Sequence, residues 1–175
     1  AYHLQWLVKF GLANYENESE LIAYYKENVR PHMKRLSVSG QAPLTEFIFE
    51  PIMIAANTYE NSLFQALALS EASLWKVKKG EYAKSVELAE KSVAIYEKLL
   101  GKQDAATLKA MHRLGERLRA NGEYQRAHDV IKEVYDLRKE VLGEKHPDTI
   151  SALNSLAISY YYLGQHEEAL LLFVQ

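Results

Sequence analysis

A tripeptide that begins with glycine recurs at a fixed interval along this chain. Gly80-Glu81-Tyr82, Gly122-Glu123-Tyr124 and Gly164-Gln165-His166 stand 42 residues apart (122 − 80 = 42 and 164 − 122 = 42). Leu100-Gly101 recurs as Leu142-Gly143 with the same spacing. A period in this range is typical of repeat architectures, in which each repeat is a small structural unit that stacks on the next. The sequence therefore predicts an array, and the functional question becomes which face of the array holds a partner.

Composition narrows the class of protein. The chain has 175 residues, of which 48% are hydrophobic and 25% charged, as is ordinary for a soluble globular protein. A net charge of −2 gives no reason to expect nucleic acid or an anionic membrane as a partner. No apolar run is long enough to span a bilayer, and no leader resembles a signal peptide. The absence of cysteine excludes disulfides and thiol catalysis, and we expect a cytoplasmic protein.

Each period contains two helical patterns separated by a turn. In the last copy Leu153, Leu156 and Tyr160 fall on one face of a helix, and Gly164 follows as a C-terminal cap. The register predicts helices over 63–79, 82–99, 105–121, 124–141 and 147–163.

Helix ends and helix crossings keep the same period. Asp104 and His146 each precede a predicted helix, so both are predicted N-caps, and Ser62 with Gln65 has the spacing of a capping box. Where two helices cross closely a large side chain has no room, and the sequence places small residues there. These are Gly115, Ala127, Ala157 and Ala169.

The third period carries a family resemblance. Leu153-x-x-Leu156-Ala157-x-x-Tyr160-x-x-x-Gly164-x-x-x-x-Ala169-x-x-x-Phe173 resembles the tetratricopeptide repeat. The 42-residue period and Leu142-Gly143-Glu144-Lys145-His146-Pro147-Asp148-Thr149 are similar to kinesin light chains and to the C-terminal arrays of fungal and bacterial STAND-type nucleotide-binding receptors. The resemblance implies an all-α fold, a right-handed α-solenoid of helix-turn-helix repeats.

We assign repeats to about 62–103, 104–145 and 146–175, the last one truncated, and expect the chain to be part of a longer protein. The first repeat departs from the pattern at Ser73, Lys76 and Ser85, where the third has Ala157, Tyr160 and Ala169. Terminal repeats of an array are often atypical, so we expect a capping or degenerate repeat there.

Residues 1–60 lack the register, so we divide the chain into an irregular helical region over 1–60 and an array over 61–175. The pattern predicts a helix over Tyr2–Tyr15, another capped by Ser19, a linker over Ser37–Pro43 and a helix over Thr45–Tyr59 interrupted at Pro51. His3-Leu4-Gln5-Trp6-Leu7 resembles the segment that precedes the repeats in fungal receptors of the STAND type.

Signatures of catalysis and of cofactor binding are missing from the sequence. No phosphate-binding glycine loop, dinucleotide fingerprint or nucleophile elbow occurs. The histidines do not form a pair at metal-ligand spacing. We therefore expect no enzyme activity, no cofactor and no metal site.

The first helix of each tetratricopeptide pair lines the concave groove, so the resemblance implies that the partner binds there. The residues predicted to contact a protein or peptide are Lys109, His112, Arg113, Glu116, Asn154 and Tyr161. A cationic set of this kind suits an anionic ligand, since charge-assisted hydrogen bonds are the strong ones. The alternative is a solvated helix face. Lys109 and Arg113 resemble the basic half of the carboxylate clamp of Hsp90/Hsp70 co-chaperones, but Ser70 stands where the clamp has asparagine.

The consecutive Tyr160, Tyr161 and Tyr162 point about 100° apart on a helix, so they cannot all be core. Tyr160 is predicted to face inward, and Tyr161 and Tyr162 to face the groove or a following repeat. Two functions remain open. One is an adaptor or scaffold that grips a peptide; the other is the ligand-sensing segment of a STAND-type NTPase receptor whose nucleotide-binding domain lies upstream.

Overall fold

The computed structural model describes residues 17–31 and 42–173, with residues 42–48 described by their backbone only. The chain divides into two compact units, Ala1–Leu69 and Ser70–Gln175. The predicted helix over Tyr2–Tyr15 and the receptor-like segment at residues 3–7 lie outside the described residues. The division that we predicted at residues 60 and 61 stays a prediction.

The first unit begins, within the described residues, with helix α1 (Glu18–Tyr24), which continues as a single π-helical turn over Tyr25–Val29. The prediction that Ser19 caps this helix is wrong. Asn17 is the N-cap, and its side-chain oxygen accepts the backbone N–H of Ser19 at 2.8 Å. Both residues are good caps, but the helix starts earlier because Glu18 is held in its first turn, where its carboxylate accepts the N–H of Phe64 at 2.8 Å.

Helix α2 spans Ala42–Thr58 and runs without interruption through Pro51, so the predicted break at that proline is wrong. The predicted linker extended too far as well, because Ala42 and Pro43 belong to the helix. Pro43 lies in the first turn, where its missing N–H removes no helical hydrogen bond. The core of this unit is formed by Leu21, Tyr25, Val29, Phe49, Ile52, Ala56 and Phe64.

From Leu63 onward the chain forms three helix pairs. They are α3 (Leu63–Lys78) with α4 (Tyr82–Leu100), α5 (Ala105–Ala120) with α6 (Tyr124–Leu142), and α7 (Pro147–Tyr162) with α8 (His166–Phe173). The five helices predicted from the register are confirmed to within one residue at each end. The described residues contain no strand, and the fold is an all-α solenoid of helix-turn-helix repeats.

Glycine ends the first helix of every pair in the same conformation. Gly80, Gly122 and Gly164 have φ of 75°, 83° and 78°, a left-handed conformation that glycine adopts without steric cost. At the last of them the N–H of Gly164 bonds to the carbonyl of Tyr161 and the N–H of Gln165 to that of Tyr160, both at 3.0 Å. This is the Schellman arrangement, and it explains why the recurring tripeptide begins with glycine.

The second helices α4 and α6 also end at glycine. Gly101 (φ 83°, ψ 165°) and Gly143 (φ 85°, ψ 163°) share a conformation that is open almost only to glycine. The chain therefore leaves repeat one and repeat two in the same direction.

The predicted N-caps of α5 and α7 are confirmed. Asp104 accepts the N–H of Ala106 at 2.8 Å, and Nδ1 of His146 accepts the N–H of Asp148 at 3.1 Å. At α3, Ser62 accepts the N–H of Gln65, but the Gln65 side chain returns to the N–H of Asn61, one residue before the cap. In a standard capping box the Gln65 side chain would accept the N–H of the cap residue Ser62, so the second hydrogen bond of the box is shifted here by one residue.

The predicted small residues are buried at helix crossings. Ala127, Ala157 and Ala169 are at most 3% exposed, and Gly115 is buried as well. In the first pair, where serine replaces alanine at both positions, Ser85 Oγ donates to the carbonyl of Ser73 at 2.8 Å. In the first pair the two helices therefore approach each other at two serines that are joined by a hydrogen bond. The later pairs have alanine or glycine at these positions.

Between the pairs, apolar side chains from neighbouring repeats form continuous cores. Val86 and Ala89 pack with Leu114 and Leu118, and Leu108, Met111 and Val134 pack with Ala152. Each repeat therefore completes its hydrophobic surface against the next one, as expected of a solenoid.

Candidate peptide-binding groove

The first helices α3, α5 and α7 are joined by side-chain hydrogen bonds that repeat along the array. Arg113 Nη1 donates to Ser70 Oγ at 2.8 Å, and His112 Nε2 shares a hydrogen bond of 2.7 Å with Ser155 Oγ. Each bond joins residues 43 positions apart, so the same geometric relationship links repeat one to two and repeat two to three. We call the surface carrying these residues the first-helix face.

An open depression of about 540 Å³ lies on this face between α5 and α7. Its lining residues are Ala105, Ala106, Lys109, His112, Arg113, Glu116, Arg138, Asp148 and Ser151, and we call this site the basic depression. Four of the six predicted contact residues, all from α5, therefore come together in one place.

Lys109 is the open cation of the basic depression. Its side chain is exposed, and it forms no ion pair with any residue that the structure describes. A lysine ammonium carries three donors on a flexible stem, so this group can reach a ligand without breaking a contact in the fold.

Arg113 is already engaged. Besides Ser70, its Nη1 lies 3.5 Å from a carboxylate oxygen of Glu71, so α3 holds the guanidinium from two adjacent residues. The five N–H donors of arginine leave some for a ligand, but the side chain also fastens repeat two to repeat one.

His112 is half-buried, with Arg138 and Arg113 nearby. Burial lowers the pKa of His112, and the Arg138 charge lowers it further, against weaker opposing effects of Glu116 and Asp148. The imidazole is therefore neutral at pH 7 and acts as a hydrogen-bonding group. The sequence analysis placed His112 in a cationic set, whereas its imidazole is uncharged at pH 7.

Glu116 forms the acidic edge of the depression. Its carboxylate lies 3.5 Å from Nη1 of Arg117, a residue only 7% exposed whose pKa is lowered by burial. Because that contact is long, Glu116 keeps acceptor capacity toward the depression.

Arg138 is the main residue that the sequence reasoning missed. It projects from α6 into the depression, is 4% exposed, and donates from Nη1 to the backbone carbonyl of Asp148 at 2.9 Å. Burial lowers its pKa, yet a guanidinium remains charged at neutral pH. The signal was present: Ile131, Val134 and Arg138 continue one helical stripe, so a charged residue stands where the pattern asks for an apolar one.

Asn154 and Tyr161 do not line the depression. Both are exposed on α7, and Asn154 occupies the register position of Ser70 and His112 in the earlier repeats. Tyr161 is 59% exposed and lies against the rings of Tyr162 and His166, at centroid distances of 5.9 and 5.1 Å. The predicted contacts therefore form a cluster on α5 and a separate exposed pair on α7.

Tyr162 is 44% exposed, so its predicted orientation toward the groove or a following repeat stays a prediction. Its ring stacks on Tyr124 of the preceding repeat, with centroids 5.0 Å apart and planes 21° apart, and the Arg119 guanidinium lies 5.4 Å from the ring centroid. Tyr160 is half-buried and packs edge-on against His128 at 4.6 Å, as an inward residue should.

Metal ligation and membrane insertion also bear on the class of site. Within the described ranges, no group of three or more histidine, aspartate or glutamate side chains is placed to hold a metal ion. No helix in the same part of the chain is long and apolar enough to cross a membrane.

The chain belongs to the tetratricopeptide repeat family, whose profile matches residues 64–140 and 131–175. Repeats of this family are non-catalytic scaffolds that generally mediate protein–protein interaction.

Curated relatives match the array in part. Clustered mitochondria protein homologs from Aspergillus fumigatus and Emericella nidulans are 35% and 34% identical over 85 residues, which is 49% of this chain. The matched segment is only 6% and 7% of the length of those two relatives.

Solved structures show the same fold. The nearly identical TPR-like repeats of a kinesin light chain-type protein from Podosopora anserina superpose with a TM-score of 0.71 at 20% identity, covering 98% of this chain and 90% of theirs. BtubC (BKLC) from P. vanneervenii gives a TM-score of 0.74 at 14% identity, covering 98% of this chain and 71% of that one. The likeness to kinesin light chain-type repeats that the sequence predicted is confirmed at the level of fold.

Proposed function

We propose that this chain is an adaptor or scaffold module that holds a partner peptide on its first-helix face, with the basic depression as the anchoring site. The observation that carries the proposal is the state of Lys109. It is exposed and lacks an ion pair with the described residues, beside two arginines that the fold keeps in fixed positions. A free cation next to preorganised donors favours a carboxylate ligand, because little order has to be created on binding.

The charges around the depression favour a peptide over a uniformly anionic ligand. Lys109, Arg113 and Arg138 are cationic, whereas Glu116 and Asp148 are acidic. A peptide offers both a carboxylate for Lys109 and backbone N–H groups for the acidic side chains. A polyanion offers only acceptors, and the two carboxylates would repel it.

The exposed pair on α7 extends the proposed contact beyond the depression. Asn154 presents an amide that can bond to a peptide backbone whatever its side chains are. Tyr161 adds a large contact area with only two rotors to order. A ligand anchored at Lys109 and continuing along α7 would meet both.

Selection of peptides from a random display library on this chain tests the proposal. The selected peptide is then titrated by fluorescence anisotropy against wild type, Lys109→Ala and Lys98→Ala. Lys98 is a matched control, because it is an exposed lysine in the last turn of α4 and does not line the depression. We expect Lys109→Ala to weaken binding by about tenfold and Lys98→Ala to leave it unchanged. Equal affinity of both variants for the peptide would contradict the assignment of the site.

The receptor alternative stays a prediction that depends on residues 3–7. Sequence upstream of Ala1 discriminates the two roles, since a phosphate-binding loop there would indicate the receptor and a coiled-coil heptad region the adaptor.

A further inference from the structure

Helix α7 is held by contacts with three histidines. His146 caps its first turn, His112 meets Ser155 in its middle, and His128 meets Ser159 near its end. Three of the four histidines among the described residues thus contact one helix of the third repeat.

The His146 contact requires an unprotonated ring nitrogen. Nδ1 accepts the N–H of Asp148, and an imidazolium has no acceptor to offer. The charged groups around the ring are Glu144, Lys145 and Asp148 of the same loop and first turn, with Arg138 reaching the Asp148 carbonyl from α6. Protonation would remove the cap and place a positive charge at a helix N-terminus, where the helix dipole disfavours it.

The His128 contact requires a proton on Nδ1 of the ring. Ser159 Oγ donates its proton to the carbonyl of Leu156 at 2.7 Å, so it accepts from Nδ1–H of His128, 3.0 Å away. The ring is 9% exposed and packs against Tyr160. Burial lowers the pKa of His128, opposed by Asp129 and assisted by Lys132 of its own helix.

The His112 contact lies among charges from both neighbouring helices. Arg113 and Glu116 share its helix, Arg138 reaches it from α6 and Asp148 from α7. Partial burial of the ring is the main cause of the lowered pKa of His112, and the guanidinium of Arg138 is the second.

The junction between repeats one and two supplies an internal comparison. One period earlier, the cap is Asp104, the partners across the first helices are Ser70 and Arg113, and the residue in the place of His128 is Val86. Val86 packs against Leu114 and Leu118. The same architecture is therefore built there without a histidine.

We propose that the junction between repeats two and three is a proton-sensitive joint: mild acidification loosens α7 from its neighbours and spares α5. The sign follows from linkage. Two of these histidines have a folded-state pKa below the ordinary value of 6.5, so the unfolded form binds more protons as the pH falls. Stability of the joint is complete above 6.5, declines as the pH drops through that value, and stops declining below the folded-state pKa. Most carboxylates titrate below this window, so histidines bind most of the protons taken up within it.

Native-state hydrogen exchange on the whole chain, corrected for intrinsic rates, tests the joint at about pH 8 and about pH 5. We expect the protection of α7 amides to fall several-fold more than that of α5 amides, because protons bound by the open form shift the opening equilibrium toward it. Parallel loss of protection in α5 and α7 would overturn the proposal, whatever the behaviour of any variant.

Variants that import the residues of the preceding repeat locate the effect. His146→Asp with His128→Val gives α7 the cap and the packing residue of α5, and both changes suit their places in the fold. We expect the excess loss at α7 to shrink toward that of α5. An excess that persists undiminished would show that the contacts of His146 and His128 do not carry the effect, and would overturn the joint as described.

Discussion

Gly115 lies so close to Ile131 that a Cβ on this glycine would stand 2.5 Å from both Cδ1 and Cγ1 of the isoleucine. Ile131 is 3% exposed and belongs to α6, the partner helix of α5. The crossing of repeat two is therefore closed more tightly than that of repeat three, where Ala157 occupies the same register position.

Gly115→Ala tests this contact. Alanine favours a helix over glycine by about 1 kcal/mol, so an open site would gain stability. Here we expect a net loss of about 1–3 kcal/mol from overpacking, because Ile131 is buried and branched. Chemical denaturation of both proteins measures it. Unchanged or raised stability would show that Ile131 moves aside at no cost.

Thr107 and Thr149 lie one period apart, and both have a fully buried hydroxyl without a hydrogen-bond partner. Thr149→Val removes that group and keeps the shape of the side chain. We expect stability to be unchanged or higher by about 1 kcal/mol, since an unsatisfied buried hydroxyl is a cost to the fold. Ser159→Ala, which deletes a hydroxyl with two partners, serves as the opposite case and should cost about 1 kcal/mol. Thermal melts of the two variants decide, and equal losses would contradict the difference in hydrogen bonding.

Arg113 and Lys109 stand one helical turn apart, and we expect them to separate stability from binding. Arg113→Ala removes the bond to Ser70 and the pairing with Glu71, so it should lower the unfolding free energy by about 1 kcal/mol or more. Lys109→Ala should leave that free energy within about 0.5 kcal/mol, as is usual for an exposed residue without special contacts. Urea unfolding curves compare them. A larger loss for Lys109→Ala would mean that it supports the fold.

Asp104 is expected to stabilise α5 through its cap. Asp104→Ala should cost about 1 kcal/mol, whereas Asp104→Asn, which keeps an acceptor for the N–H of Ala106, should cost much less. Hydrogen exchange in the first turn of α5 is the direct measurement. Equal exchange in both variants would assign the effect to the charge and not to the hydrogen bond.

Local sequence signals predicted most of the array. The helix ends recur in register at glycine, aspartate, histidine and proline, and the helix crossings recur at small residues. These features can be predicted locally, because a cap or a close crossing depends on the type of residue at that position. The break at Pro51 failed for the opposite reason: surrounding packing can carry a helix through a proline, and a local pattern does not contain that packing.

The candidate site was predicted less completely than the fold. The sequence identifies Lys109, His112, Arg113 and Glu116 as one helical face, and the structure gathers them around the basic depression. It does not reveal that Arg113 reaches Ser70 or that His112 reaches Ser155, since those bonds depend on how successive repeats are offset. Arg138 joins the site from a second helix, and only the fold brings it there.

The matching backbone conformations at Gly101 and Gly143 make residues 102–143 an interchangeable segment. The chain enters and leaves this segment in the same direction, so a duplicate copy spliced in after Gly143 would keep the helical register of everything that follows. Duplication or excision by recombination at these two glycines would thus lengthen or shorten the array by one repeat without changing the backbone conformation at the splice points. A protein engineer could insert or remove the same segment to change the length of the first-helix face.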